Sequence, residues 1–428
     1  MTILLLALWW AGMMLIACWI CGRWFNHLSL YTCIWTASLI AFEMHLIIYH
    51  SIVFEAWIFV FVAWVALYLG TAIAAMIFPR RTVRRFPELR MKRLQVAILC
   101  LAFASFVSSA ILVSDIVKIV ESDPVTAITG DANQIYAMRF ENEVSGILYV
   151  SFVGYATCAL GGIYTAQRGR LTVTGVLPLI AQTIDGIVSM QRAGILLGAL
   201  IFASAYYFTP RATKLRMHWW KTLIMTALIL GSFLAITFNR GGVQVFEGER
   251  EPLVEAGESI SVLPQLYLYA SSPLACFSEY LKAPREDGLG LWGRYSFAPI
   301  YRFLGKHYGL NTYVPHYQSF YNTPESVNVG TYLREIHYDF GGLAIFLFPF
   351  LLGFIITFVE RRRQSTYSTV MLSFLYTAVL FTINLNFIGS NFWYFGVPTA
   401  LAVVAFASRP REQENRHSPT IVTANQSV

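Results

Sequence analysis

The feature that most limits how this chain can fold is a series of apolar runs about 20 residues long, the length one helix needs to cross a bilayer. Such runs lie at residues 3–22, 29–51, 55–78, 95–117, 144–166, 172–189, 193–209, 222–238, 341–359, 367–386 and 391–408. In hydrocarbon every backbone N–H and C=O must be satisfied within the chain, so runs of this kind are read as helices. Composition agrees: 56% of the 428 residues belong to the set AVILMFWYC and only 13% are charged, against roughly 25% charged in soluble domains. The expected fold is an all-α polytopic integral membrane protein with about 11 transmembrane helices and one large outer loop. The net charge of +7 does not point to nucleic acid, because the basic residues sit mostly in short segments between apolar runs.

Those short segments set the sidedness. Between Pro79 and Leu94, Arg80, Arg81, Arg84, Arg85, Arg90, Lys92 and Arg93 are opposed by a single acid, Glu88, which places the loop in the cytoplasm by the positive-inside rule. Alternation then puts Arg23, Arg168, Arg170, the basic group at 211–221, Arg361, Arg362, Arg363 and the tail from Arg409 on the same side. The N-terminus falls outside and the C-terminus inside. The chain divides into an N-terminal bundle at 1–238, an outer loop or cap at 239–340, three further helices at 341–408 and a polar tail at 409–428, expected to be disordered.

The six cysteines fall mainly inside apolar stretches, so they read as neither a disulfide framework nor a zinc site. Cys18 and Cys21 form a CxxC, but in a lipid-spanning setting with no nearby histidine or second pair. The first run lacks a basic leading region and an A-x-A cleavage site, and is read as a retained helix rather than a signal peptide. There is no Walker A or HExxH sequence, no paired-carboxylate motif near the start of a loop and no strong metal-ligand constellation.

Chemistry is expected in the outer segment, since irregular backbone is disfavoured against lipid. Within it, 262–281 reads as a helix lying on or dipping into the membrane, because Pro264, Ser271, Ser272, Pro273 and the parity of the spans argue against a crossing. Arg192 occupies a small turn between two runs, and Arg240 sits in Asn239-Arg-Gly-Gly242 at the outer end of another. Arginine presents a planar fork of donors and a charge that does not titrate, so two at one depth suit a pyrophosphate. The competing reading is that each snorkels to headgroups or caps a helix C-terminus.

A second constellation runs from Asn328 to Gly342 and carries Thr331, Tyr332, Arg334, Glu335, His337, Tyr338 and Asp339. If the following helix extends back to about Thr331, then Thr331, Arg334, Glu335, Tyr338 and Asp339 share a face by their spacing. Polar groups at that depth are usually paired and functional; the alternative is an internal salt bridge from Arg334 to Asp339 or Glu335 that docks the cap. His307, His316 and His337 are candidate bases. The outer tyrosines, among them Tyr280, offer the stacking faces and hydroxyls that bind sugars, although interfacial aromatic belts use the same residues. Glu43, His45 and Asp185 read as ionisable residues inside spans, marking either a transport path or helix packing.

These residues resemble the Wzy-type polymerases of bacterial O-antigen, capsule and related repeat-unit polysaccharides. The resemblance lies in the many spans with one dominant outer loop, in Gln191-Arg192-Ala-Gly194, in Asn239-Arg-Gly-Gly242, in 267–280 and in Asn328 to Gly342. It implies a GT-C-like integral-membrane glycosyltransferase at the outer face of the bacterial inner membrane. Such an enzyme moves a growing glycan from undecaprenyl pyrophosphate to a hydroxyl of the next lipid-linked repeat unit, with no cofactor. By that likeness Arg192, Arg240, Arg334, Glu335, His337 and Asp339 are the catalytic candidates, with His337 or Glu335 as base. Asn328, Thr331, Tyr332, Tyr338 and Tyr280 are the substrate-binding ones. The expected partners are the lipid-linked glycans, membrane lipids, a chain-length regulator and a flippase. O-antigen ligases share the arginine-bearing turns, and a transporter or a structural export partner are the readings from other classes.

Reporter fusions check the sidedness. A cytoplasm-active reporter joined at residue 86 or 410, and an exterior-active one joined near Ser259, are all expected to be active; the reverse pattern overturns the assignment.

Overall fold

The computed structural model describes residues 2–79, 89–120, 148–189, 191–210, 231, 263–284, 292–308, 319–323, 326–362 and 365–408. The run at 222–238, Arg240, His316, most of the 79–94 basic loop and the tail lie outside the described residues, Gly231 excepted.

The regular secondary structure of the described residues is helical apart from one small hairpin. The helices are α1 (Thr2–Cys21), α2 (His27–Glu43), α3 (Phe54–Ile77), α4 (Met91–Val120), α5 (Leu148–Arg168), α6 (Val173–Val188), α7 (Arg192–Phe208), α8 (Leu263–Lys282), α9 (Ala298–Tyr308), α10 (Tyr332–Phe340), α11 (Gly342–Arg361), α12 (Thr366–Phe381) and α13 (Val397–Ala407). Strands β1 (Tyr321–Asn322) and β2 (Ser326–Val327) pair antiparallel between α9 and α10. Four helices, at Ile3–Cys21, Phe54–Ile77, Met91–Ile119 and Gly342–Arg361, are long and apolar enough to cross a bilayer, and the protein is an α-helical membrane protein. The apolar helices at Val173–Val188, Arg192–Phe208, Thr366–Phe381 and Phe392–Ala407 are shorter. At 1.5 Å per residue a helix of this length reaches only about 25 Å.

Several boundaries differ from the sequence expectation, each for a local reason. The second apolar run is helical only to Glu43, and His45 takes a left-handed φ of 53°. Beyond it the chain is tied to α8: the Leu46 N–H donates to the Tyr267 hydroxyl at 3.1 Å and the Val53 N–H to Ser278 Oγ at 3.0 Å. Glu43 and His45 therefore sit at a helix end, not inside a span. Asp185 is buried in α6 and accepts from Ser109 of α4 at 3.4 Å, a packing contact between helices. The span expected from 341 begins at Gly342, and its extension back to about Thr331 is a separate helix, α10, set off at Gly341, whose φ of 75° suits glycine. The run at 367–386 ends its α-helix at Phe381, and a 3₁₀ turn and a π turn precede α13.

Two apolar cores share α12. Leu372, Leu375, Tyr376 and Val379 join α1, α2, α3, α8, α10 and α11 in the first. Val370, Phe374, Ala378 and Phe381 join α4, α5, α6, α7 and α13 in the second. Buried hydroxyls close the polar accounts along the helices, with Thr357, Thr377 and Thr209 donating to carbonyls one turn back at 2.8, 2.8 and 2.7 Å.

The chain ends that carry arginines meet at one end of the bundle. Arg361 donates to the Phe78 carbonyl at 3.1 Å, and the Arg90 N–H to the Ala407 carbonyl at 2.8 Å. Arg23 pairs with Glu360 at 2.5 Å, and the same carboxylate accepts from the Tyr376 hydroxyl. The buried His27 lies 3.8 Å from Glu360 and bonds Thr71 at 2.9 Å. This cluster ties α1–α2 to α11 and α12 by a paired charge, the form in which ionisable groups are tolerated at such depth.

The most extensive helix pair is α3 with α11. Gly70 and Gly353 make it possible, since a methyl at Gly70 would strike the Phe350 carbonyl and one at Gly353 the Leu67 carbonyl. Small residues that allow backbones to touch are the usual basis of close helix packing in membranes. Gly353→Ala is expected to cost about 1–3 kcal/mol through overpacking. Gly12→Ala, with nothing within 4 Å, is expected to leave stability unchanged. Thermal unfolding of the detergent-purified variants measures both.

Candidate functional site

At the end of the bundle opposite the arginine-rich one, α10 carries most of the residues singled out in the sequence. Its Leu333 and Ile336 are fully buried and anchor it in the first core. Tyr332 extends that anchor: its N–H donates to the Thr382 carbonyl at 2.9 Å, and its hydroxyl shares a bond with Tyr31 at 3.2 Å. Thr331 caps the helix start through its backbone, and its buried hydroxyl has no hydrogen-bond partner.

The remaining polar residues fan out in three directions rather than forming one face. Arg334 is 3% exposed and grips backbone, donating to the Ser319 carbonyl at 2.9 Å and the Asn328 carbonyl at 3.1 Å. Its guanidinium lies over the rings of Tyr321 and Tyr280, 4.8 and 5.7 Å from their centroids. No ion pair joins it to Glu335 or Asp339 among the described residues. Arg334 thus fastens the β1–β2 hairpin to α8 and α10. Glu335 points the other way and accepts from the Asn386 N–H at 2.8 Å. Asn386 in turn donates to Ser296 at 3.2 Å.

Asp339 takes the third direction. Its two oxygens accept from the Tyr295 and Ser296 N–H groups at 2.9 and 2.7 Å, holding the turn that leads into α9. Burial is the largest influence on this carboxyl and pushes its pKa up, while those bonds and nearby Arg294 act to lower it. Tyr338 lies beside the same turn, its ring edge-on to Tyr295 and its hydroxyl 3.4 Å from Arg294.

His337 is the one side chain of α10 placed for proton transfer. Its Nδ1 lies 3.0 Å from the Tyr280 hydroxyl, and its ring packs on Phe59 of α3 at 5.4 Å. Burial lowers its pKa from the ordinary 6.5, opposed by the Glu55 carboxylate in the first turn of α3. The imidazole is therefore neutral at pH 7. Burial pushes the Tyr280 phenol up, so it stays protonated. Nε2 has no hydrogen-bond partner among the described residues, and in the tautomer that donates Nδ1–H to Tyr280 it keeps a lone pair.

Arg192 opens α7 at the same end of the bundle. It is half-buried over the ring of Tyr269 at 5.3 Å, with Nη2 donating to that hydroxyl at 3.3 Å. It starts a helix rather than capping a C-terminus, so the positive end of α7 and the guanidinium reinforce each other toward an anion. Among the described residues no group of three or more His, Cys, Asp or Glu is placed to hold a metal ion.

No family model, curated protein or solved structure matches this chain. The site therefore rests on its own geometry.

Three contributors escaped the sequence reading. Glu55 looked like the edge of a span, Asn386 like part of one, and Arg294 like one more basic residue of the outer loop. No periodicity or motif marks them, because each gains its role from a segment distant in sequence. Asp339→Ala is expected to strip two backbone N–H groups of their acceptor and cost about 1–3 kcal/mol. Faster proteolysis between residues 284 and 298, with a lower unfolding temperature, is the expected readout.

Proposed function

We propose that this protein is a membrane glycosyltransferase that joins lipid-linked glycan repeat units, a polymerase of the Wzy type. The observation that carries the reading is His337: a neutral imidazole held by Tyr280 at the end of an apolar bundle, with Arg192 at the same end. Transfer of a glycan to a hydroxyl needs a base that accepts one proton and a cation that stabilises the departing oxygen. In this proposal Nε2 of His337 takes the acceptor's proton, and Tyr280 fixes the ring. Arg192, with Arg240 of the undescribed segment, neutralises the undecaprenyl pyrophosphate as it leaves. Arg334, Glu335 and Asp339 are positioning residues, since their polar atoms are committed to backbone groups. Tyr338, part-exposed beside the turn before α9, supplies an aromatic face for sugars, and two substrates held by lipid tails in one plane gain the advantage of proximity. The site end of the bundle then faces the periplasm of a bacterial inner membrane, where a flippase delivers substrate and a chain-length regulator acts.

Deletion of the gene is expected to abolish the surface-glycan ladder while single repeat units persist. His337→Gln is expected to lower the polymerisation rate of the purified enzyme by roughly 10²–10⁴-fold, and Arg192→Ala to abolish it. Because burial lowers the His337 pKa, its base form is present at neutral pH and is lost as pH falls. Activity is thus expected to decline on the acid side with a midpoint below 6.5, a limb absent in His337→Gln. A ladder unchanged by deletion sinks the proposal.

A further inference from the structure

Arg294 is fully buried, at 0% exposure, and apart from its through-space effect on Asp339 its donors are almost unused. It stands in the turn before α9, next to Gly293, whose φ of 67° lets the backbone reverse there. Nη1 makes one long contact with the Tyr338 hydroxyl, at 3.4 Å, and the guanidinium lies 5.8 Å from the centre of the Tyr295 ring. Nε and Nη2 have no hydrogen-bond partner. The nearby Asp339 does not supply one: its oxygens accept from the Tyr295 and Ser296 N–H groups, and neither idle donor of Arg294 bonds to them.

The two idle donors are not scattered. Nε–H and Nη2–H lie along one edge of the guanidinium and point the same way, at the spacing of two oxygens on a single phosphorus or carbon. A buried cation with idle donors is strongly unfavourable, and an apolar side chain would fill the same volume without that cost. An arginine in this state is accounted for by an anion that occupies the edge when the protein is loaded.

We propose that Arg294 is the floor of an oxyanion site whose Nε/Nη2 edge takes two oxygens of a phosphate or pyrophosphate group. The flanking faces of Tyr295 and Tyr338 wall the site, and Asp339 holds the turn that carries it. Loading requires the 292–297 turn to part from α10, since the edge meets no solvent. The site itself stands on the unpaired donors. That its phosphate is the one linking glycan to lipid rests on the polymerase reading.

The test is thermal unfolding of the full-length protein in detergent, with inorganic phosphate, inorganic pyrophosphate, farnesyl pyrophosphate, farnesol and glucuronate as probes. For the wild type, a phosphate-bearing probe is expected to raise the unfolding temperature by several degrees, since a ligand that binds only the folded state stabilises it. Arg294→Met is expected to unfold at or above the wild-type temperature when free and to lose the rise. A free Arg294→Met protein that unfolds well below the wild type, or one that keeps the full rise, overturns the proposal. Should Arg294→Met fail to accumulate, Arg294→Lys decides, because it keeps the charge without the two-donor edge. Its rise is expected to be less than half, and an undiminished rise overturns the site. A response to inorganic pyrophosphate assigns the phosphate whatever its carrier, and one to farnesyl pyrophosphate alone assigns a lipid-linked group. An equal response to farnesol, or one to glucuronate only, overturns the phosphate class. No glycan is present, so failure here leaves the polymerase reading intact, and an intact ladder on gene deletion leaves this site intact.

Discussion

The contact of α3 with α11 through Gly70 and Gly353 sets the geometry on which the candidate site depends. Between helices in lipid there is little hydrophobic force to gain, so close approach of backbones and the dispersion contacts it permits hold the pair. α3 brings Glu55 and Phe59 to one end of the bundle, and α11 begins at that end directly after α10. His337 packs on Phe59 because the crossing places these two helix starts side by side. At the other end the Arg23–Glu360 pair closes the same assembly.

Around α10 the polar side chains divide by what their atoms are committed to. Arg334, Glu335 and Asp339 each bond backbone groups of a different segment: the hairpin, the stretch after α12, and the turn before α9. A short polar helix thereby gathers three irregular segments whose backbone groups would otherwise lack partners. Among the described residues, His337 Nε2, two nitrogens of Arg294 and the Thr331 hydroxyl make no hydrogen bond. Groups left incomplete in an otherwise satisfied network are where a substrate has something to add.

Much of the architecture was legible in the amino-acid order. The apolar runs around α1, α3, α4 and α11 became helices near the expected bounds, because length and hydropathy alone decide that a segment in hydrocarbon is helical. Residues 44–51 were misread for a physical reason: they are apolar enough to belong to a span, yet the stretch beyond Glu43 is tied to α8, the Leu46 N–H by Tyr267 and the Val53 N–H by Ser278. The site was legible in part. The polar cluster of 331–339 stood out by type, and its members do share one short helix, but neighbours draw the side chains of Arg334, Glu335 and Asp339 to three different segments.

The sequence by itself determined that the chain is helical and built for a membrane, because those properties depend on residue type summed over one segment at a time. It also determined which stretches could hold chemistry, since charges and histidines gather there. Only the tertiary structure decided which of those groups are spent on structure and which are left over. Whether an arginine meets a carbonyl, as Arg334 does, or nothing, as two nitrogens of Arg294 do, depends on segments tens of residues away. A hydrogen bond is a matter of distance and angle, and no local pattern encodes either across that separation.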